Sequence, residues 1–175
     1  MFVFLDTETT GLNNNRKDEV LQIGILDENG QTLLNSYVKP EKILNWKEAE
    51  SINHISPAMV EDAPKFSELK EKILEVVKGN DLVIYNKSFD TQFLDNEILE
   101  SCNNVYCCML RYSYYKQVWN DLYESYQWFR LIDATNDIDP TFEFGAHDAL
   151  EDCKATRIVW NKLEELKIDS DYKYC

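Results

Sequence analysis

The sequence predicts an α/β domain in which a mixed β-sheet is flanked by helices. Three observations predict it. The first forty residues hold three β-rich segments joined by short connections, which implies antiparallel pairing. An amphipathic helical stretch and a second buried apolar run then follow in alternation. A long helical segment closes the chain, and strands followed by alternating helix and strand form a sheet covered by helices.

The elements read as follows. Residues 2–6 are a short apolar run, taken as a buried strand. Positions 13–18 form a polar loop. "VLQIGILD" at 20–27 is β-rich, "ENG" at 28–30 makes a tight turn, and "QTLLNSYV" at 31–38 returns as a third strand ended by Pro40. "FSELKEKILEVV" at 66–77 puts Phe66, Leu69, Ile73, Leu74 and Val77 on one helical stripe. Pro64 and Ser67 suit its entry and Gly79-Asn80 its exit. "DLVIYN" at 81–86 reads as a buried strand. Positions 88–101 read as one helix with Phe89, Phe93, Leu94 and Ile98 inward. Residues 105–110 suit either a short strand or the start of a helix. Gly145 precedes a helix from Asp148 to Leu166.

The totals bound the function. At 175 residues with 44% apolar side chains, the chain reads as one domain with a sizeable core. No apolar run is long enough to span a bilayer, and the N-terminus lacks the layout of a secretory signal. Five cysteines without metal-ligand spacing read as reduced thiols of a cytoplasmic protein. The net charge of −14 argues against a broad basic surface for duplex nucleic acid. It leaves room for a nucleic-acid enzyme whose acidic pocket is neutralised by bound cations.

The acids carry the chemistry. In a strand, alternate side chains share a face, so Phe2, Phe4, Asp6 and Glu8 point one way. Two readings stand for this pair: acids facing water at a strand end, or half of a site. Asp90 lies just past a buried strand, where α/β sheets bind ligands, and also where a helix dipole favours an acid. His147 and Asp152 are five positions apart, about 140° around a helix. They converge only if His147 sits in the loop before the helix; otherwise they are a surface histidine and a solvated acid. Gathering four carboxylates is costly unless cations bind. Oxygen donors suit Mg²⁺ or Mn²⁺, and two such ions about 4 Å apart stabilise a phosphoryl displacement. A histidine beside them is a general base for the attacking water.

Three ordered segments, "FLDTETTGL" (4–12), "NKSFDTQFL" (86–94) and "HDALEDCKAT" (147–156), resemble the motifs of the DEDDh 3′→5′ exonucleases of the DnaQ/ribonuclease T superfamily. "INHISPAMVEDAP" (52–64) is similar to that family's cleft-lining segment, and "YQWFRLIDA" (126–134) to the helix before the third motif. The resemblance implies one exonuclease domain over residues 1–175 with a ribonuclease H-like fold: a five-stranded mixed sheet, the first three strands antiparallel, with helices on both faces. It implies that Asp6, Glu8, Asp90 and Asp152 hold two Mg²⁺ or Mn²⁺ ions, with His147 as general base and Glu8 beside it in the catalytic set. Thr7, Thr9, Leu12, Asn53 and Asn86 would meet the substrate: Thr9 through its backbone, Leu12 against the terminal base, Asn53 by a polar contact. Asn86 would hold the loop carrying Asp90. The implied partner is a single-stranded 3′ end or its mononucleotide product, with a homodimer or a polymerase partner left open. The alternative is a catalytically weak exonuclease-like subunit or sensor.

Three features lie outside the motifs. His54 reads as a partly exposed helix-end histidine. Cys107-Cys108 reads as a buried pair of small apolar side chains. Residues 109–130 are rich in aromatics, which stack on unpaired bases. Tyr115, Val118, Trp119, Leu122, Tyr126 and Phe129 also fit a helical core stripe. Tyr112, Tyr114, Tyr123 and Trp128 fall off that stripe and read as surface candidates.

Overall fold

The structure, a computed structural model, describes residues 1–12 and 17–169. Positions 13–16 of the expected polar loop, and the tail at 170–175, lie outside the described residues. Strands β1 (Phe2–Thr9), β2 (Val20–Asp27) and β3 (Thr32–Tyr37) come first. Helices α1 (Lys47–Asn53) and α2 (Phe66–Val77) lead to β4 (Asp81–Ile84). Short helices α3 (Lys87–Asp90) and α4 (Asn96–Ser101) lead to β5 (Asn104–Cys107), which runs into α5 (Cys108–Lys116). A small hairpin, β6 (Trp119–Asn120) and β7 (Ser125–Tyr126), precedes α6 (Leu131–Ile138) and α7 (Ala149–Glu165).

The five main strands form one sheet in the order β3-β2-β1-β4-β5. β1 pairs antiparallel with β2, and β2 with β3, as their short connections predict. β4 and β5 join in parallel beside β1, which requires the crossovers that α2 to α4 supply. All eight residues of β2 are buried, the pattern of a strand covered on both faces. Val3, Leu5, Ile23, Ile25, Leu82 and Ile84 face α2 and α4. Phe4, Leu26 and Val83 face α5, α6 and α7, where Trp160 packs edge-on against Phe2 at 5.5 Å. The strand alternation therefore feeds two cores, and helices cover both faces.

Three differences from the sequence reading have physical causes. The Lys65 N–H, at the entry of α2, donates to the Glu68 carboxylate at 2.7 Å, so Glu68 caps the helix instead of Ser67. The single helix expected over 88–101 is broken, because Asp90 turns its carboxylate to Thr7 across the chain; Phe89 consequently lines a cleft. Residues 105–110 are both a strand end and a helix start. The core stripe across 115–129 does not form. The α5 helix stops at Gln117, which is left-handed at φ 50°, and the chain turns into the hairpin. Trp119 and Leu122 are thus exposed, whereas Tyr112 is buried. His54 caps α1 with a left-handed backbone and is exposed. Cys108 is buried and Cys107 half-buried, and none of the four described cysteines is in a disulfide.

Candidate active site

β1 delivers the first two acids. Phe2, Phe4, Asp6 and Glu8 share the face toward α7, and the pairing with β2 shifts register between Glu8 and Thr9. Such a bulge re-aims a strand end. Thr7 points to the opposite face. Its N–H and hydroxyl donate to Asp90 Oδ1 at 3.0 and 2.7 Å. Asp90 ends α3, whose turn is held by the Asn86 carbonyl, an acceptor for the Phe89 N–H at 2.9 Å. Asn86 thus supports the Asp90 turn through its backbone.

α7 delivers the rest. Its cap, Asp148, accepts from the N–H groups of Leu150 and Glu151, both at 3.1 Å. His147 lies one residue earlier, in the loop, with a left-handed φ of 69°. That turn brings its imidazole to Glu8 and Asp152, with one donor atom from each of the three within 4.8 Å of the others. Asp6 and Asp90 stand beside this trio.

The electrostatics are those of crowded, buried acids. Burial, then the charges of Asp90, Asp152 and Glu8, pushes Asp6 well above the usual carboxylate range. Burial and the Asp152 charge push Glu8 up to about 8, against a hydrogen bond from Asn53. Burial raises Asp90 despite its two bonds from Thr7. Burial raises Asp152 too, although the His147 N–H opposes it. Asp152 Oδ1 is buried without a hydrogen-bond partner. A set of hard oxygen donors, all resisting ionisation and one of them orphaned, fits divalent cations.

Around the acids lies a cleft of about 400 Å³ that Thr9, Leu12, Asn53, Tyr85, Asn86 and Phe89 help to line. Leu12 is 71% exposed. Thr7 and Asn53 also line this cleft, and each makes inward-looking hydrogen bonds. Thr7 holds Asp90. Asn53, buried, donates to the Thr9 carbonyl at 3.2 Å and accepts from the Ile55 N–H at 3.1 Å. A larger hollow of about 710 Å³, along 39–42 and 91–96, contains none of the four motif acids.

The sequence reading missed two residues. Gln22 stands opposite Glu8 on β2. Its amide donates to Asp148 Oδ2 at 2.9 Å and accepts from the Ala149 N–H at 3.2 Å, tying the start of α7 to the sheet. Gly24 stands opposite Asp6. A Cβ there would meet the backbone of Ala149 and Leu150 at 2.7 Å, so glycine permits the close approach of α7. A polar residue and a glycine interrupting an apolar strand were the available signals.

Known proteins resemble this chain in sequence and in fold. Residues 3–159 match the RNase T exonuclease family. The chain is 32% identical to an uncharacterized exonuclease of Escherichia phage 186 over 165 residues, covering 88% of this chain and 83% of that protein. It is 30% identical to DNA polymerase III subunit epsilon of Escherichia coli over 103 residues, 54% of this chain but 42% of the subunit. In three dimensions it resembles Exonuclease X in complex with 5′ overhanging duplex DNA, with a TM-score of 0.71 and 21% identity over 98% of this chain and 96% of that one. A ribonuclease H-like sheet carrying the three acidic motifs, matched over nearly its whole length, makes this chain an exonuclease of the RNase T family in the DnaQ superfamily.

Proposed function

We propose that this exonuclease works 3′→5′ on single-stranded DNA or RNA, releasing nucleoside monophosphates by a two-metal mechanism from one domain spanning residues 1–175. The observation that carries the reading is the convergence of Asp6, Glu8, Asp90, Asp152 and His147 from β1, α3 and the entry of α7. Asp6, Glu8, Asp90 and Asp152 would hold two Mg²⁺ or Mn²⁺ ions. When bound, such ions offset the carboxylate charge and stabilise the attacking and leaving oxygens of an in-line displacement.

The chain's own groups do the rest. Water attacks the phosphorus, and the bond to the 3′ oxygen of the preceding nucleotide breaks. His147, exposed at the cleft and beside Glu8 and Asp152, takes the proton of the attacking water. A proton ends on the leaving 3′ oxygen. Thr7 and the Asn86 turn keep Asp90 in place. Asn53 steadies Glu8 and the Thr9 backbone. Leu12 offers an apolar surface to the terminal base. A cytoplasmic location suits described cysteines that are in no disulfide, and among the described residues no helix is long and apolar enough to cross a membrane.

A 5′-labelled oligonucleotide panel tests this: single-stranded DNA, single-stranded RNA and a 3′-mismatched duplex, each with Mg²⁺, Mn²⁺ and EDTA. The expected result is a ladder shortening stepwise from the unlabelled end, fastest on a single strand and stopped by EDTA. Release of the labelled 5′ nucleotide first, or an EDTA-insensitive ladder, contradicts it. A second reading, a weakly catalytic subunit or sensor, draws on the −14 charge and on the match to under half of a polymerase subunit. Rapid Mn²⁺-dependent turnover by the isolated chain rules that reading out.

A further inference from the structure

The β6–β7 hairpin carries apolar side chains that neither core uses. Trp119, Tyr123 and Trp128 are 55%, 73% and 64% exposed. The backbone beneath them is nonetheless fixed. The Gln127 N–H donates to the Val118 carbonyl at 2.8 Å, extending the hairpin by one rung. The Tyr126 ring stands edge-on to Trp119 at 5.6 Å and to Tyr114 at 6.0 Å. The Tyr85 hydroxyl, at the catalytic cleft, donates to the Phe129 carbonyl at 2.8 Å, and the Phe129 ring stands edge-on to Tyr112 at 5.5 Å. Trp128 thus sits between two anchored neighbours with its ring in solvent. An aromatic surface held in place beforehand loses little entropy when it binds.

This surface is continuous with the catalytic cleft. Leu12, Asn86 and Phe89 line both that cleft and a second hollow of about 340 Å³, which Trp128 also lines. Trp128 in turn lines a third hollow of about 550 Å³ with Tyr123 and Tyr126. The path runs from the acids past Leu12 to Trp128 and on to Tyr123. Its neighbouring cations are engaged: Lys116 pairs with Asp137 and Arg130 with Asp133. A path of exposed rings whose flanking cations are engaged recognises the faces of unpaired bases in preference to phosphates.

We propose that Trp128 and Tyr123 form a stacking track for the unpaired nucleotides immediately 5′ of the one being removed. The track rests on the 3′→5′ reading above, which seats the terminal nucleotide at Leu12 and the acids. It makes the hairpin a specificity element: bases that are already paired cannot offer their faces to it.

The test compares wild type, Trp128→Ala and Trp128→Phe, with Leu44→Ala as an exposed apolar control elsewhere on the surface. Substrates are decathymidylate and decauridylate, and the p-nitrophenyl ester of thymidine 5′-monophosphate, which fills only the cleavage cleft. Trp128→Ala should lower kcat/KM on the decanucleotide, relative to that on the ester, about tenfold through KM, the scale of one base–aromatic stack. Trp128→Phe should recover most of it, and Leu44→Ala should leave the ratio alone. Anisotropy of the 5′-fluorescein decanucleotides in Ca²⁺ should weaken by the same factor. A wild type that cleaves neither substrate class sinks the exonuclease reading, whereas the anisotropy still decides the track. An unchanged ratio with unchanged anisotropy overturns the track. So does a Trp128→Ala protein that sediments as a monomer when wild type is a dimer, with oligonucleotide affinity intact.

Discussion

Asp90 accepts two hydrogen bonds from Thr7 and is still pushed above its ordinary range, because burial outweighs both. Glu8 shows the same imbalance, with Asn53 opposing burial and the Asp152 charge. These side chains resist ionisation where they stand, which is the state a divalent cation relieves. His147 has two candidate tasks beside them, since its ring lies within ligand reach of Glu8 and Asp152. As a general base it is worth about 10²- to 10⁴-fold in rate. His147→Gln should therefore lower single-turnover cleavage by that order while leaving Mn²⁺ affinity, measured by calorimetry, within about threefold. Parallel losses of rate and affinity would make it a ligand instead. The four acids and this histidine were singled out by the resemblance of three ordered motifs, because strand alternation and loop placement alone left both readings open. The tasks of Thr7 and Asn53 were not legible, because each is defined by a partner far away in sequence, Asp90 for Thr7 and Thr9 for Asn53.

At the level of elements, the site is an agreement between β1, β2 and α7. Gln22 ties α7 to β2, and Gly24 lets the helix backbone lie against the strand. Gly24→Ala would drive a methyl into the Ala149 and Leu150 backbone, which cannot give way as a side-chain tip can. The expected cost is about 1–3 kcal/mol, several degrees in Tm. Displacing α7 carries His147 and Asp152 away from Glu8, so kcat should fall by about a hundredfold. Wild-type kcat in a folded Gly24→Ala protein would show that the α7 approach does not set the geometry. α2 and α7 were readable to within about two residues because each repeats a helical period over several turns, and β2 because a β-rich run ends in a tight turn. The 109–130 region misled because a stretch so rich in aromatics satisfies a helical period by chance. Its helix ends at Gln117, which adopts a left-handed backbone without being glycine. The break between α3 and α4 was hidden for a related reason: the Thr7–Asp90 bond, long in sequence, overrides a locally helical pattern.

For the whole molecule, the acid cluster sets a dependence on pH. Asp6, Glu8, Asp90 and Asp152 all have folded-state pKa values above their ordinary ones. Between the ordinary carboxylate range and about 8, the Glu8 value, the folded chain binds more protons than the unfolded one. Its stability therefore falls as pH rises through that window. Cations bound at the cluster compete with those protons, so they stabilise more at high pH. The mixed sheet with its antiparallel first three strands was legible from element order, and the helix cover on both faces from the resemblance. The balance of burial against charge was not, because it depends on how far each acid is removed from water.

The most direct measurement is the Mn²⁺-induced rise in Tm at pH 8 and at pH 5.5, for wild type and Asp6→Asn. Wild type should gain clearly more at pH 8 than at pH 5.5. Asp6→Asn should be at least as stable as wild type at pH 8 without metal, having lost one of four crowded buried acids, and should gain little from Mn²⁺ at either pH. An Mn²⁺ gain that is equal at the two pH values, or undiminished by Asp6→Asn, would contradict a catalytic centre built on cations held by these four acids.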